Sequence, residues 1–207
     1  MLTTAELRWF ARGEIPEAIA QWFTSDARGE HLAPSEERED IYLYVPESDF
    51  VGIKLRQARL EIKWRIAELG VVSIDQVAGK AEKWRKWLCE DDTKESFQPS
   101  EVTGKAWISV KKKRTQRKYE VTSRQSVVAI PVDQSGDRIC SVELTQLEIY
   151  NQAWWSLAYE ASGADEFETL KIIAESMQSD ADLKLQLQDS YAYPHWLEQN
   201  YSISQQT

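Results

Sequence analysis

Between Phe50 and Arg65 the chain reads FVGIKLRQARLEIKWR, with its charged residues on alternate positions. Side chains of an extended strand point to opposite faces with a period of two. A reversal around Gln57 and Ala58 therefore gives two strands. Lys54 and Arg56 share one face of the first, and Arg59, Glu61, Lys63 and Arg65 share one face of the second. Ile53 and Leu55, then Leu60, Ile62 and Trp64, take the opposite face. Two readings fit this pattern. A half-solvated antiparallel sheet alternates in this way. Yet the charged face is almost wholly Lys and Arg with a single Glu, where a solvent face would mix in Ser, Thr and Gln. Such a face also suits the wall of an enclosed, wet channel that holds an anion.

One anion with its charges spread along its length is a chain of phosphates. A triphosphate spreads its oxygens over about 7–8 Å, on the order of two to three strand residues, so cations at alternate positions on neighbouring strands can meet it. Guanidinium binds phosphate through paired, charge-assisted hydrogen bonds. The candidate contacts are Arg8, Lys54, Arg56, Arg59, Lys63, Arg65, Lys111, Lys113 and Arg117. The run Lys111 to Arg114 hides its own phase: either Lys111 and Lys113 or Lys112 and Arg114 face inward. For the run as a whole, an edge strand protected by charge is the alternative. His31 has no Cys or His beside it and reads as a surface residue, and His195 has no partner legible in the sequence.

The elements that must position these residues are mostly strands. Thr3 to Phe10 alternates and is broken by Gly13. Pro16 suits the first turn of a helix, and Ile15, Ile19, Trp22 and Phe23 recur at helical spacing. Asp26 to Glu39 is polar and reads as a loop, and Asp40 to Val45 as a strand ended by Pro46. After the hairpin come strand-like stretches at Val71–Val77, Trp107–Arg114, Arg117–Thr122, Val127–Val132, Ile139–Ile149 and Trp154–Ala161. Gly79 to Trp87 fits a strand or irregular structure, and Asp91 to Thr103 an acidic loop. From Phe167 to Met177 the apolar period becomes helical, with Ser162 and Asp165 in a capping arrangement. A short helix at Asp182–Gln188 and a tail that tucks in Trp196 and Leu197 follow. The fold class is α+β: a closed or nearly closed antiparallel β-barrel of about eight strands with flanking helices. The whole chain, 1–207, reads as one domain, with its core over 4–177 and a helical tail over 178–207.

Composition sets limits on partners and place. The chain of 207 residues is 42% hydrophobic, enough to build a core, and its nine Trp and eight Tyr favour β-structure. Cys89 and Cys140 are too few for a disulfide framework, and reduced thiols fit the cytoplasm. No signal peptide and no apolar run near the roughly 18 residues of a membrane span are visible. The net charge of −9 argues against general nucleic-acid binding. Positive charge is nevertheless focused, with seven Lys and Arg and no acid between Lys105 and Lys118.

The order of these features resembles the CYTH, or triphosphate tunnel, superfamily, which includes class IV adenylate cyclases, thiamine triphosphatases and fungal RNA triphosphatases. That family opens with a strand of the type Glu-x-Glu-x-Lys and a helix; here Thr4-Ala5-Glu6-Leu7-Arg8 precedes IPEAIAQWF. A strand of the type Asp-x-Tyr and a basic hairpin follow, matched by Asp40-Ile41-Tyr42 and GIKLRQARLEIKWR. Later matches are the Lys111 to Arg114 run, Arg117, Val142-Glu143-Leu144 and Ala158-Tyr159-Glu160. The resemblance implies a tunnel that binds a triphosphate or polyphosphate-like anion, and carboxylates that hold Mg²⁺ or Mn²⁺ against it for hydrolysis. Glu6, Glu143 and Glu160 match surviving carboxylate positions, and Glu61 is a further acid on a polar face. Two departures bear on catalysis, because Thr4 and Ala158 stand where the family has glutamates. Arg8 replaces a Lys, which keeps the charge but changes its shape. The readings in play are a metal-dependent triphosphatase, a non-catalytic anion-binding module that has lost the metal geometry, and a protein-interaction module.

Overall fold

The computed structural model describes residues 1–26, 31–57, 59–74, 77–89, 106–122, 126–177 and 185–204. The strands are β1 (Leu2–Arg12), β2 (Glu36–Leu43), β3 (Val51–Arg56), β4 (Arg59–Ile74), β5 (Val77–Cys89), β6 (Trp107–Val121), β7 (Val127–Ile130), β8 (Arg138–Ile149) and β9 (Gln152–Gly163). The helices are α1 (Glu17–Gln21), continued by a π-helical turn over Trp22–Asp26, α2 (Glu166–Ser176) and α3 (Tyr193–Ser204), with a 3-10 turn at Leu187–Asp189.

Strand order runs β2-β3-β4-β5-β1-β9-β8-β6, and β6 pairs back to β2, closing an eight-stranded antiparallel barrel. This is the α+β fold class expected from the sequence, an antiparallel β-barrel with flanking helices. Closure leaves no free edge along the ring. β7 pairs with β6 over Lys118–Val121, beyond the point where β2 has left it.

Several elements are longer than their local sequence suggests. β6 is one continuous strand, because β2 hydrogen-bonds its first half and β8 pairs with Lys111 to Glu120, which overrides the weak Thr115–Gln116 junction. β4 runs on past Gly70 through register shifts between Arg65 and Ala67 and between Glu68 and Gly70. β2 begins at Glu36, inside the polar stretch read as a loop, because its charges pair across to β6. Gly79 to Trp87 is strand throughout. Asp165 heads α2 with φ 49° and makes no side-chain cap bond, while Ser162 belongs to β9, so the expected capping arrangement does not form. The acidic stretch Asp91–Thr103 and the first three residues of the expected helix at Asp182–Gln188 lie outside the described residues, and of the remainder Leu187 and Gln188 belong to the 3-10 turn.

The apolar residues form two clusters on opposite sides of the wall. The larger lies outside the barrel, where Leu7, Trp9, Val142 and Tyr159 are covered by Phe23 and by Leu170 and Ile173 of α2. Gly79 sits beneath the Trp9 ring, and a Cβ there would come within 2.4 Å of it. Arg117 faces this outer side. Its guanidinium donates to the carbonyls of Phe23 and Thr24, and so satisfies acceptors that the end of the α1 turn leaves open. The second cluster lies inside one end of the barrel. There α3 inserts Trp196 and Leu197, 0% and 2% exposed, against Phe10, Val110, Leu147 and Trp154. Ile53, Leu60, Ile62 and Trp64 point outward as expected but stay half-buried, because α2 covers the β1–β9–β8 side instead. No helix is long and apolar enough to cross a membrane.

Candidate functional site

With one barrel end filled by α3, the remaining interior is a tunnel of about 250 Å³. Alternation in every barrel strand delivers one polar row to it. Glu6 and Arg8 come from β1, Arg38 and Tyr42 from β2, Lys54 and Arg56 from β3, and Glu61 and Lys63 from β4. β5 adds Lys80, Glu82, Trp84 and Lys86, while β6 adds Lys112 and Arg114. Glu143 of β8 and Glu160 of β9 complete the ring. Nine cations thus line the tunnel against five carboxylates.

The phase of the basic run is settled by this arrangement. Lys112 and Arg114 face in. Lys111 and Lys113 are exposed on the outer surface, paired with Glu148 and Glu37. Arg59 is exposed at the start of β4 and does not reach the tunnel lining. Arg117 lies on the outer face, under the α1 turn, because it is an odd number of residues from Lys112. Arg65 stands at the tunnel's flank, held by Glu82 at 2.6 Å and Asp49 at 3.0 Å. Of the expected phosphate contacts, Arg8, Lys54, Arg56 and Lys63 converge inside, together with all four expected acids.

The most charged point is Asp40, fully buried on β2. Arg56 donates to both its oxygens at 2.9 Å, Lys112 approaches at 3.0 Å, and Arg38 and Lys54 stand at 3.5 and 3.9 Å. Burial alone would raise this carboxyl, but Lys112 and the bonded Arg56 outweigh it and hold Asp40 far below the usual carboxylate range. The cations bear the opposite strain. Burial, reinforced by Arg56, brings Lys54 and Lys112 down to about 7. Lys112 also donates to the Tyr42 hydroxyl at 2.6 Å and lies 3.9 Å from the centre of the Tyr193 ring, a cation–π contact. The Nε of Arg38 is buried and makes no hydrogen bond, with the Asp40 carboxylate 3.5 Å away.

The carboxylates divide into separate ion-pair groups. Glu143 pairs with Arg8 and Arg114; burial opposes its charge, yet the two guanidinium groups hold it at about 2. Glu61 accepts from Lys54 at 2.9 Å, with Lys86 at 3.4 Å, and is likewise held at about 2 against burial. Glu6 and Glu160 are register partners on β1 and β9, and Lys63 reaches both. Burial raises Glu6, more than Lys63 lowers it. Thr4 donates to Glu6 at 2.6 Å, and Ala158 lies opposite both Arg8 and Glu143. Among the described residues, no three His, Cys, Asp or Glu form a group able to hold a metal ion.

Sequence reasoning missed Arg38, Asp40, Lys80, Lys86 and Tyr193. Arg38 was masked by reading Asp26 to Glu39 as loop, although Glu36, Arg38 and Asp40 alternate, and Asp40 was read as strand but given no role in the site. Tyr193 arrives from the far end of the chain: Tyr191 N donates to the Arg8 carbonyl, and the Ser190 hydroxyl accepts from Lys80 N at 2.8 Å. His195 finds Gln199 at 2.9 Å and the Tyr191 ring.

No protein-family model matches the chain, and no curated protein matches it in sequence. Two solved structures are similar. One is a conserved hypothetical protein, Pfu-838710-001, from Pyrococcus furiosus, at 14% identity and a TM-score of 0.38, covering 88% of this chain and 94% of that one. The other is the S. pombe Pct1 RNA triphosphatase, at 12% identity and a TM-score of 0.40, covering 85% and 81%. Both likenesses are too distant to carry function.

Proposed function

We propose that the tunnel binds a triphosphate or polyphosphate-like anion. One observation carries this reading: nine cations from six strands converge on one enclosed cavity and outnumber its five carboxylates. A surface lattice of ion pairs would be exposed and near neutral. This one is internal and positive in excess. Multidentate charge-assisted bonds to phosphate oxygens are what such a wall can supply.

Hydrolysis is the second reading, favoured by the Glu6–Glu160 register pair. Mg²⁺ is commonly held by one or two carboxylates together with substrate phosphates, and these two would hold Mg²⁺ or Mn²⁺ in that manner. The metal would neutralise the phosphate oxygens and orient a water. A divalent ion held there would take the place of Lys63 beside Glu6. The carboxylates of Glu61 and Glu143 serve as counterions to Arg and Lys in this reading. The dispersal of the acids into separate ion-pair groups favours binding over turnover.

Isothermal titration with tripolyphosphate and with orthophosphate, with and without Mg²⁺ or Mn²⁺, tests both. Tripolyphosphate should bind more tightly than orthophosphate, and more weakly as salt is added. Absence of binding by any polyanion would remove the proposal. Phosphate release that needs the metal and is lost in Glu160→Gln would establish the hydrolytic reading.

A further inference from the structure

Five lysines line the tunnel, and Lys54 differs from the rest in how its charge is shared. We propose that Lys54 is a nucleophile that captures a small phosphorylated aldehyde as an imine. This rests on the tunnel being an anion site.

A lysine becomes a nucleophile where burial and neighbouring cations drive off its proton. β3 sets Lys54 in such a place. Its Nζ lies 2.9 Å from Glu61 and 3.9 Å from Oδ2 of Asp40. Lys112 reaches the same oxygen of Asp40 at 3.0 Å. Arg56 spans both carboxylates, 2.9 Å from Asp40 and 3.8 Å from Glu61. Each carboxylate therefore keeps other cations when Lys54 gives up its charge. Asp40 keeps Arg56 and Lys112, and Glu61 keeps Arg56 and Lys86. Breaking an interior ion pair is costly chiefly because it strands the remaining charge, and here none is stranded. Burial, reinforced by Arg56, brings the amine down to about 7, so a neutral fraction is present at neutral pH.

The other four lysines lack one or another part of this setting. Lys63 is the cation that Glu6 and Glu160 share, and it cannot lose its charge without stranding them. Lys112 is closed in beneath the Tyr193 ring, its side chain 2% exposed against 18% for Lys54. Lys86 approaches Glu61 alone, at 3.4 Å, and stands outside the Asp40 cluster. Lys80 is exposed. The arginines of the wall can seat a phosphate, and Tyr42, Trp84 and Tyr193 add flat surfaces beside it. In the covalent step the nitrogen lone pair adds to the aldehyde carbon and gives a carbinolamine. Its hydroxyl then leaves as water, protons exchanging with solvent in the tunnel. Amine and aldehyde thus become imine and one water, with no oxidant or reductant involved.

The test mixes the protein with pyridoxal 5′-phosphate or with pyridoxal and reads the imine by its visible absorbance. Borohydride reduction then fixes the adduct for peptide mapping, and isothermal titration measures tripolyphosphate binding separately. Lys54 should carry the adduct. The phosphorylated aldehyde should react at concentrations lower by about tenfold or more, the worth of one charge-assisted hydrogen bond. Tripolyphosphate should compete with it. Lys54→Arg keeps the positive charge and forms no such imine, so the absorbance should vanish. An adduct confined to other lysines overturns the inference, as does one at Lys54 that pyridoxal forms equally well or that tripolyphosphate does not displace. Absorbance that persists in Lys54→Arg overturns it too. If tripolyphosphate binds and no adduct forms at Lys54, the tunnel reading stands and this inference falls. If neither tripolyphosphate nor either aldehyde binds, both fall.

Discussion

Asp40→Asn takes one negative charge from a point where four cations meet, and it couples the fold to the proposed function. Three charge-assisted hydrogen bonds weaken: two from Arg56 at 2.9 Å and one from Lys112 at 3.0 Å. Each is worth about 1.5–3 kcal/mol. Part of this returns, because a neutral amide costs less to bury than a carboxylate. Removing one member of a buried ion pair nets about 3–5 kcal/mol of destabilisation. In a chain of this length each kcal/mol moves Tm by about 2–4 °C, so Tm should fall by about 6–20 °C. The sign with pH is fixed by the depressed folded pKa. Asp40 contributes fully above the ordinary aspartate value of 3.8, and its contribution is lost as pH falls below that toward the folded value. The gap between wild type and variant should therefore close below about pH 4. Polyanion adds the functional half: with their shared counterion gone, Arg56, Lys112, Lys54 and Arg38 should bind tripolyphosphate more tightly, and the ligand should restore part of the lost Tm. Urea unfolding and thermal unfolding, each with and without tripolyphosphate, measure both. A variant within 1 kcal/mol of wild type would refute the energetic reasoning, and an equal tripolyphosphate shift in both proteins would refute the link to function.

Three further outcomes are expected. Lys112→Met should weaken tripolyphosphate binding by at least tenfold, while Lys111→Ala and Lys113→Ala leave binding unchanged and stability within about 0.5 kcal/mol, by titration and urea unfolding. At pH 8, above the folded values of about 7 for Lys54 and Lys112, tripolyphosphate binding should take up protons as both amines recharge. Titration in two buffers of different ionisation enthalpy reads that uptake, which should fade at pH 6, where both are already charged. Glu143, held at about 2 against an ordinary 4.5, contributes on the order of 3 kcal/mol above pH 4.5 that is lost as pH falls toward 2. Glu143→Gln should flatten that part of the stability–pH curve.

What was legible in the sequence was what strand alternation controls. The hairpin from Val51 to Arg65 put Lys54, Arg56, Glu61 and Lys63 on one face, and the structure places that face inward. Where consecutive positions carry the same chemistry, alternation gives no phase, so Lys111 to Arg114 could be resolved only by Val110 and Ile108 packing inside the plugged end. Arg59 fell out because it opens its strand at the exposed turn. The α3 plug was legible as a tucked tail, but its insertion within the barrel was not: the contacts of Trp196 with Phe10 and Trp154 join distant parts of the chain. Arg117 shows the same limit, since a buried guanidinium serving backbone carbonyls and one serving a phosphate have identical local sequence.

The interior ion pairs make the tunnel resemble an ion-exchange resin already loaded with its own counterions. Most of the cations meet a carboxylate tethered to the same or a nearby strand, present at the high effective concentration that covalent attachment confers. A small univalent anion must displace such a tethered rival with nothing in reserve, and it gains little. A chain of linked charges displaces several rivals for one loss of translational freedom, and its exchange strengthens with each added link. Selectivity by charge density is thus a property of the barrel wall itself, set by Asp40, Glu61 and Glu143 as much as by the Lys and Arg residues they hold in place.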